Sequence, residues 1–330
     1  MTDKKEDNVA DKKDNVHNAE SFEFDKVIKK VDATNLTSDK LFEEILKSDD
    51  TLPWCNAYLP SRGMFYSPDS PVPTPLIPDG LVQIRPMGLD IEKLTSTPRY
   101  QGKFVELMIE KCVRFPDGFN QADLLVGDRL FLLFYIRGIT YGNKYQFALK
   151  CPGCDKTGIH DYDLNELART IKSADPDIVS EPFKIKLPYL SEKYGKDVMV
   201  KARFMRGRDQ NVMSQRASFK KKVMTIKPKL ASDKPNDEQV DVTDESVIEK
   251  FCLLITEVLG VSDPYKIKQF VESKLHSLDA AAINVYLEEK CPSMSAEIRV
   301  TCGNCGQEVD TTLPITARFF RPQVPGGDGA

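Results

Sequence analysis

Two short stretches, Cys151-Pro-Gly-Cys154 and Cys302-Gly-Asn-Cys305, constrain the fold of this chain more than anything else in it. Each leaves two residues between its cysteines, contains a glycine and is flanked on both sides by a strand-like run: residues 145–150 and 158–163 around the first pair, 296–300 and 308–313 around the second. A strand, a tight cysteine turn and a second strand make a hairpin with a knuckle at its tip. Two such hairpins brought face to face offer four soft thiolates at the spacing a tetrahedral zinc ion needs, about 2.3 Å from the metal. The expectation is one structural zinc site built from Cys151, Cys154, Cys302 and Cys305, a ribbon split by the residues between the two knuckles. Four thiolates leave no open position for water or substrate, so the metal would hold the fold together rather than catalyse.

Other uses of cysteine fit less well. A redox pair opens a helix after a strand, whereas each pair here runs into another strand. Disulfide stapling suits secreted chains, and neither a secretory signal at Met1 nor a staple-like spacing of Cys55, Cys112, Cys252 and Cys291 is present in the sequence. A reducing compartment is expected. His160, near the first knuckle, could serve as a spare ligand, although a solvated strand histidine is the plainer reading.

The remaining pattern predicts an α+β fold: a mainly helical body with short β-hairpins and the split ribbon. Residues 1–22 are almost wholly charged or polar and are expected to form a disordered tail. Residues 23–51 are expected to form an N-terminal helical arm that packs on the main body or a neighbour, or else an ordinary core helix; Leu41, Phe42, Ile45 and Leu46 mark one face of a short helix behind a Thr37/Ser38/Asp39 cap. Residues 52–165 make a core with a proline-rich extended entry, a strand at 81–85, helices at 90–96, 102–115 and 122–139, and the first knuckle. Residues 166–295 read as an insertion. It holds a short helix at 164–173, a hairpin pairing 183–187 with 198–204, a basic helix at about 208–223, a linker at 226–243, and helices at 244–259, 263–273 and 278–289. Residues 296–321 carry the second knuckle and a closing strand, and 322–330 a flexible tail. No apolar run approaches the roughly 20 residues of a membrane span.

The net charge of −4 hides an asymmetry. Ten Lys/Arg residues and the single acid Asp209 fall between Lys201 and Lys229, leaving the rest of the chain at about −13. Arg206, Arg208, Arg216, Lys220, Lys221 and Lys222 are the candidate partner-binding residues of this stretch. An acidic protein surface is one partner for them. Phosphates are the other, which would make the chain a nucleic-acid-binding zinc ribbon. Against the second, only Phe204 and Phe219 supply aromatic stacking there.

Enzyme signatures are missing from the sequence. His17, His160 and His276 have no evident nucleophile partner, and neither a P-loop nor a GxGxxG after a strand occurs.

The order Leu59-Pro-Ser-Arg-Gly63, Ile84-Arg-Pro-Met-Gly88, Leu125-Val-Gly-Asp-Arg-Leu-Phe-Leu-Leu133, Arg137-Gly-Ile-Thr-Tyr-Gly142 and then the first knuckle resembles the baseplate hub proteins of contractile-tailed, T-even-like phages. The resemblance covers roughly residues 55–165 and, more loosely, the second knuckle. It implies a non-enzymatic structural or assembly component of the virion tail baseplate, assembled in the bacterial cytoplasm, with other baseplate or tail proteins as partners. A resident subunit and an assembly factor absent from the finished particle are both compatible with it.

Overall fold

The computed structural model describes residues 37–47, 53–95, 103–178, 180–225, 246–315 and 317–320. The expected tails and the 226–243 linker lie outside the described residues. Within them the chain is α+β: ten α-helices and several short antiparallel sheets.

An amphipathic helix, α1 (Ser38–Lys47), comes first. Strands β1 (Cys55–Tyr58) and β2 (Leu81–Ile84) then pair antiparallel, and helices α2 (Leu89–Thr95) and α3 (Phe104–Cys112) lead into β3 (Val113–Arg114), which closes a three-stranded sheet in the order β1-β2-β3. Against this sheet runs α4 (Val126–Tyr141), apolar on nearly every face: Phe131, Leu132, Phe134 and Ile136 are all buried. A helix apolar all round belongs in the middle of a core. Gly127 is required at its start, because a Cβ there would stand 2.1 Å from the carbonyl oxygen of Pro292.

Strands β4 (Lys144–Lys150) and β5 (Thr157–Asp163) form the first knuckle hairpin. Then come α5 (Asn165–Ala168), β6 (Ile171–Lys172), β7 (Phe183–Lys186), α6 (Pro188–Tyr194), β8 (Met199–Ala202), α7 (Gly207–Thr225), α8 (Ser246–Leu254), β9 (Ile255–Val258), α9 (Pro264–Ser273), α10 (Ser277–Lys290) and β10 (Ser293–Met294). The second hairpin, β11 (Glu297–Thr301) and β12 (Glu308–Thr312), ends the sequence of strands.

Several details depart from the sequence pattern; the helix expected over 102–115 ends at Cys112, and Val113–Arg114 pair with β2 instead. The helix expected over 164–173 stops at Ala168, because Ile171 and Lys172 pair with β10. Residues 183–186 and 199–202 pair as expected, but α6 connects them instead of a tight turn. The helix expected to reach Leu259 stops at Leu254, and the β-branched run from Ile255 becomes the outer strand of the sheet β7-β8-β9. The expected closing strand is a 3-10 turn, Ala317–Phe320. Consecutive Phe319 and Phe320 are both buried, which the alternating faces of a strand do not allow.

The motif segments at 59–63, 84–88, 125–133 and 137–142 are tied to one another within the core. Asp128 of α4 accepts from the Ser61 amide (2.9 Å) and from the Tyr66 hydroxyl (2.7 Å), and the same hydroxyl accepts from the Leu125 amide (2.8 Å). Likewise the Met87 amide donates to Thr140 Oγ1 (3.0 Å). Side chains of the 125–133 and 137–142 pieces thus satisfy backbone amides of the 59–63 and 84–88 pieces, as buried polar groups require.

Burial pushes the Asp128 carboxyl up to about 6, against the hydrogen bonds from Ser61 and Tyr66 and the Arg206 charge, which pull it down. The folded chain thus keeps a proton that the unfolded chain releases near pH 4. This contribution to stability is fully present below the unfolded value and is lost as pH rises through about 6. The parent should lose about 1 kcal/mol relative to Asp128→Asn between about pH 5 and about pH 7.5. Paired denaturant titrations at the two pH values check it, and a pH-independent difference would contradict the assignment.

Candidate metal centre

The two hairpins are built on one plan. In the first, Lys150 pairs with Thr157 and the turn Cys151–Lys156 is closed by Cys151 N donating to Lys156 O (2.9 Å) and Asp155 N donating to Cys151 O (2.9 Å). In the second, Thr301 pairs with Glu308, and Cys302 N donates to Gln307 O (2.8 Å) while Gly306 N donates to Cys302 O (2.8 Å). The residue after each second cysteine is left-handed, with φ of 59° at Asp155 and 73° at Gly306. Glycine takes that conformation freely and aspartate is among the few side chains that tolerate it.

Each hairpin is fastened to the core by its inner face. Tyr145 and Phe147 of β4 are buried, as are Ile298, Val300 and Val309 of the second hairpin. Arg137 reaches out of α4 to donate to the carbonyl oxygens of Gly142 (2.6 Å) and Lys144 (3.1 Å), fixing where the first hairpin starts. The Tyr145 hydroxyl donates to Pro314 O (3.2 Å), tying the first hairpin to the exit of the second. Phe319 packs edge-on against both Phe134 and Tyr145. The two tips consequently meet, close enough that the Gln307 side chain occupies the space above Gly153.

At this meeting point the sulfur atoms of Cys151, Cys154, Cys302 and Cys305 all lie within 4.8 Å of one another. Two of the inter-hairpin separations are 3.7 Å, Cys151 to Cys305, and 3.8 Å, Cys154 to Cys302. Four sulfurs at 2.3 Å from a common tetrahedral centre are about 3.8 Å apart. A disulfide would need about 2.05 Å, and all eight cysteines are free thiols. The cluster is therefore a possible metal site whose donor set and spacing fit a single tetrahedral ion. The amides of Asn304 and Cys305 point at the Cys302 sulfur and hold that thiol down to about 6, while Cys305, against the Gln307 amide, is pushed up to about 11 by burial and the neighbouring thiols. Cys151 and Cys302 are buried, Cys154 half-buried and Cys305 exposed, so the site sits at the surface end of the hairpin pair. His160 stands opposite Phe147 in the β4–β5 register, outside the cysteine group.

The basic stretch is placed quite differently. Arg206 is fully buried: it donates to Glu181 Oε2 (2.9 Å) and to the Phe65 carbonyl oxygen (2.9 Å). That corrects its expected place on a partner surface, since a guanidinium enclosed by its own chain has no free face. Arg203 makes a bidentate pair with Asp209 (2.8 and 2.8 Å), Lys201 meets Glu257 (2.7 Å), Arg208 pairs with Asp123, and Arg216 stands 3.8 Å from Glu249. Much of the positive charge is thus met inside the chain by acids distant in sequence. Glu181 is a structurally decisive residue that the sequence pattern did not mark, and Asp128 entered it only as part of the Leu125–Leu133 piece. The one cue was their lying beside a proline turn and at the head of an apolar helix.

The chain belongs to the family of T4 bacteriophage base plate proteins, whose family model matches residues 73–321, a span that includes both knuckles. No curated protein and no solved structure matches the chain. Among the described residues no helix is long and apolar enough to cross a membrane.

Proposed function

We propose that this chain is a non-enzymatic structural or assembly subunit of a phage tail baseplate hub, acting through protein–protein contacts, with its two ends stapled by one structural zinc ion. Supporting this reading is the arrangement of four thiols, two from each hairpin, at the tetrahedral spacing in a member of a baseplate family. Cys151, Cys154, Cys302 and Cys305 would hold the ion. A four-thiolate tetrahedral set suits zinc, which supplies cross-linking without redox chemistry.

The residues between the knuckles, 155–301, run from the first hairpin to the second, and Leu164, Phe183, Val200, Phe251 and Met294 among them are part of the same core as Phe65 and Phe131. Clamping both ends fixes this segment against α4, where Gly127 admits the Pro292 backbone. Of the basic set, Arg208, Arg216, Lys220, Lys221 and Lys222 are carried by α7, and we assign them to an acidic protein neighbour in the tail. Internal pairing of Lys201, Arg203 and Arg206 takes three of the ten basic residues of the stretch away from any phosphate track.

The function is tested by mass spectrometry of purified particles and of tail-assembly intermediates. The chain should be recovered with hub components in one or both, and its absence from both would contradict a baseplate role. Particles alone distinguish a resident subunit from a factor released before completion.

A further inference from the structure

Among the described residues an apolar groove of about 830 Å³ lies between α6, the start of the turn after β9 and the end of α9. Leu190, Val198, Val258, Phe270 and Leu275 form its floor, and Tyr194 and Leu259, 65% and 64% exposed, stand at its lip. Three lysines, Lys193, Lys196 and Lys274, surround it. The one acid of the lining, Asp197, is paired with Lys186.

Leu259 is oddly placed for a residue with only an intramolecular role. Val258 and Val261 exchange both backbone hydrogen bonds (2.9 Å each), so Leu259-Gly260 is a two-residue hairpin loop with φ of 49° and 85°. Such loops favour Asn-Gly, because a bulky side chain at positive φ is strained. Here a leucine accepts that strain while remaining largely in solvent. Strain held at an exposed apolar residue points to a use outside the chain.

The same chain carries a matching helix. In α1, Phe42 and Leu46 are 62% and 69% exposed, and the exposed acids Asp39 and Glu44 flank that apolar face on its two sides. None of the groove's lining comes from α1. An amphipathic helix with apolar anchors and acidic flanks is the complement of an apolar groove with a lysine rim.

We propose that α1 of one copy of this chain docks into the α6–α9 groove of a second copy. The contact is heterologous, arm to groove, so it propagates until a ring or reciprocal exchange closes it.

Sedimentation of the full, metal-loaded chain tests this. Concentration-dependent self-association is expected at micromolar protein. Phe42→Asp with Leu46→Asp, and separately Leu259→Asn, should each raise the dissociation constant about tenfold or more. Leu259→Asn should leave the melting temperature of the monomer unchanged or higher, since asparagine suits the turn better. Mixing the two variants should restore a heterodimer, because each supplies the surface that the other lacks. A chain that stays monomeric, variants that associate like the parent, or a mixture that fails to combine would each overturn the proposal. Capture of a different protein by the groove of a monomeric chain counts as the first of these.

Discussion

Arg206→Met should destabilise the chain by about 3–5 kcal/mol, because it leaves Glu181 charged, buried and unpaired. That is a large share of the roughly 5–15 kcal/mol that holds a typical domain folded. Glu181 lies deep enough that burial raises its pKa even with the Arg206 guanidinium 2.9 Å away. Desolvation therefore outweighs the attraction, and the pair's value lies in what it specifies. Arg206 reaches from the start of α7 to the Phe65 carbonyl, locking the inter-knuckle segment onto the N-terminal core in one register. Phe204, two residues before it, packs against Phe65 (5.0 Å) and Phe183 (4.7 Å) at the same seam. Adding Glu181→Gln should recover most of the lost stability, since glutamine is neutral and still accepts from the Phe204 amide. Urea midpoints of the single and double variants measure this. Equal losses in the two would mean that the charge pair is not the cause.

The second large effect is expected at the knuckles. Cys151→Ser combined with Cys302→Ser removes one ligand from each hairpin, and with them a metal contribution to folding on the order of 10 kcal/mol. Each hairpin alone is a two-stranded sheet, marginal in water. Hydrogen exchange in the variant should therefore show β4, β5, β11 and β12 unprotected, with the buried helix α4 losing protection last. Retained protection in all four strands would show that side-chain packing alone holds the tips together.

The knuckles were legible because ligand spacing is written locally: two residues between thiols is a property of a turn. Helices α9 and α10 were legible for a similar reason, since Asp263 and Pro264 mark the start of one by chemistry alone. The start of α10 shows the limit of such signals. Its cap is the His276 ring, whose Nδ1 accepts from the Leu278 amide, rather than Ser277.

What sequence could not supply was long-range choice. Ile255–Val258 continues a helical pattern as readily as it makes a strand, and its strand state is decided by pairing with β8, more than fifty residues earlier. Arg206 and Arg208 look alike in the sequence, yet one is enclosed and the other half in solvent, because only Arg206 lies under Phe65 and opposite Glu181. A count of positive charge registers neither fact. The family-like pieces were recognisable as a series, but the hydrogen bonds that join them, Ser61 to Asp128 and Met87 to Thr140, emerge only in the folded chain.

The most direct test of the central claim is the native mass of the purified chain, measured with its metal content and with alkylation of its thiols before and after chelation. One zinc per chain is expected, with Cys151, Cys154, Cys302 and Cys305 shielded from alkylation until a chelator removes the metal. A metal-free mass with these four cysteines freely alkylated, or a mass lowered by two disulfides, would contradict the staple.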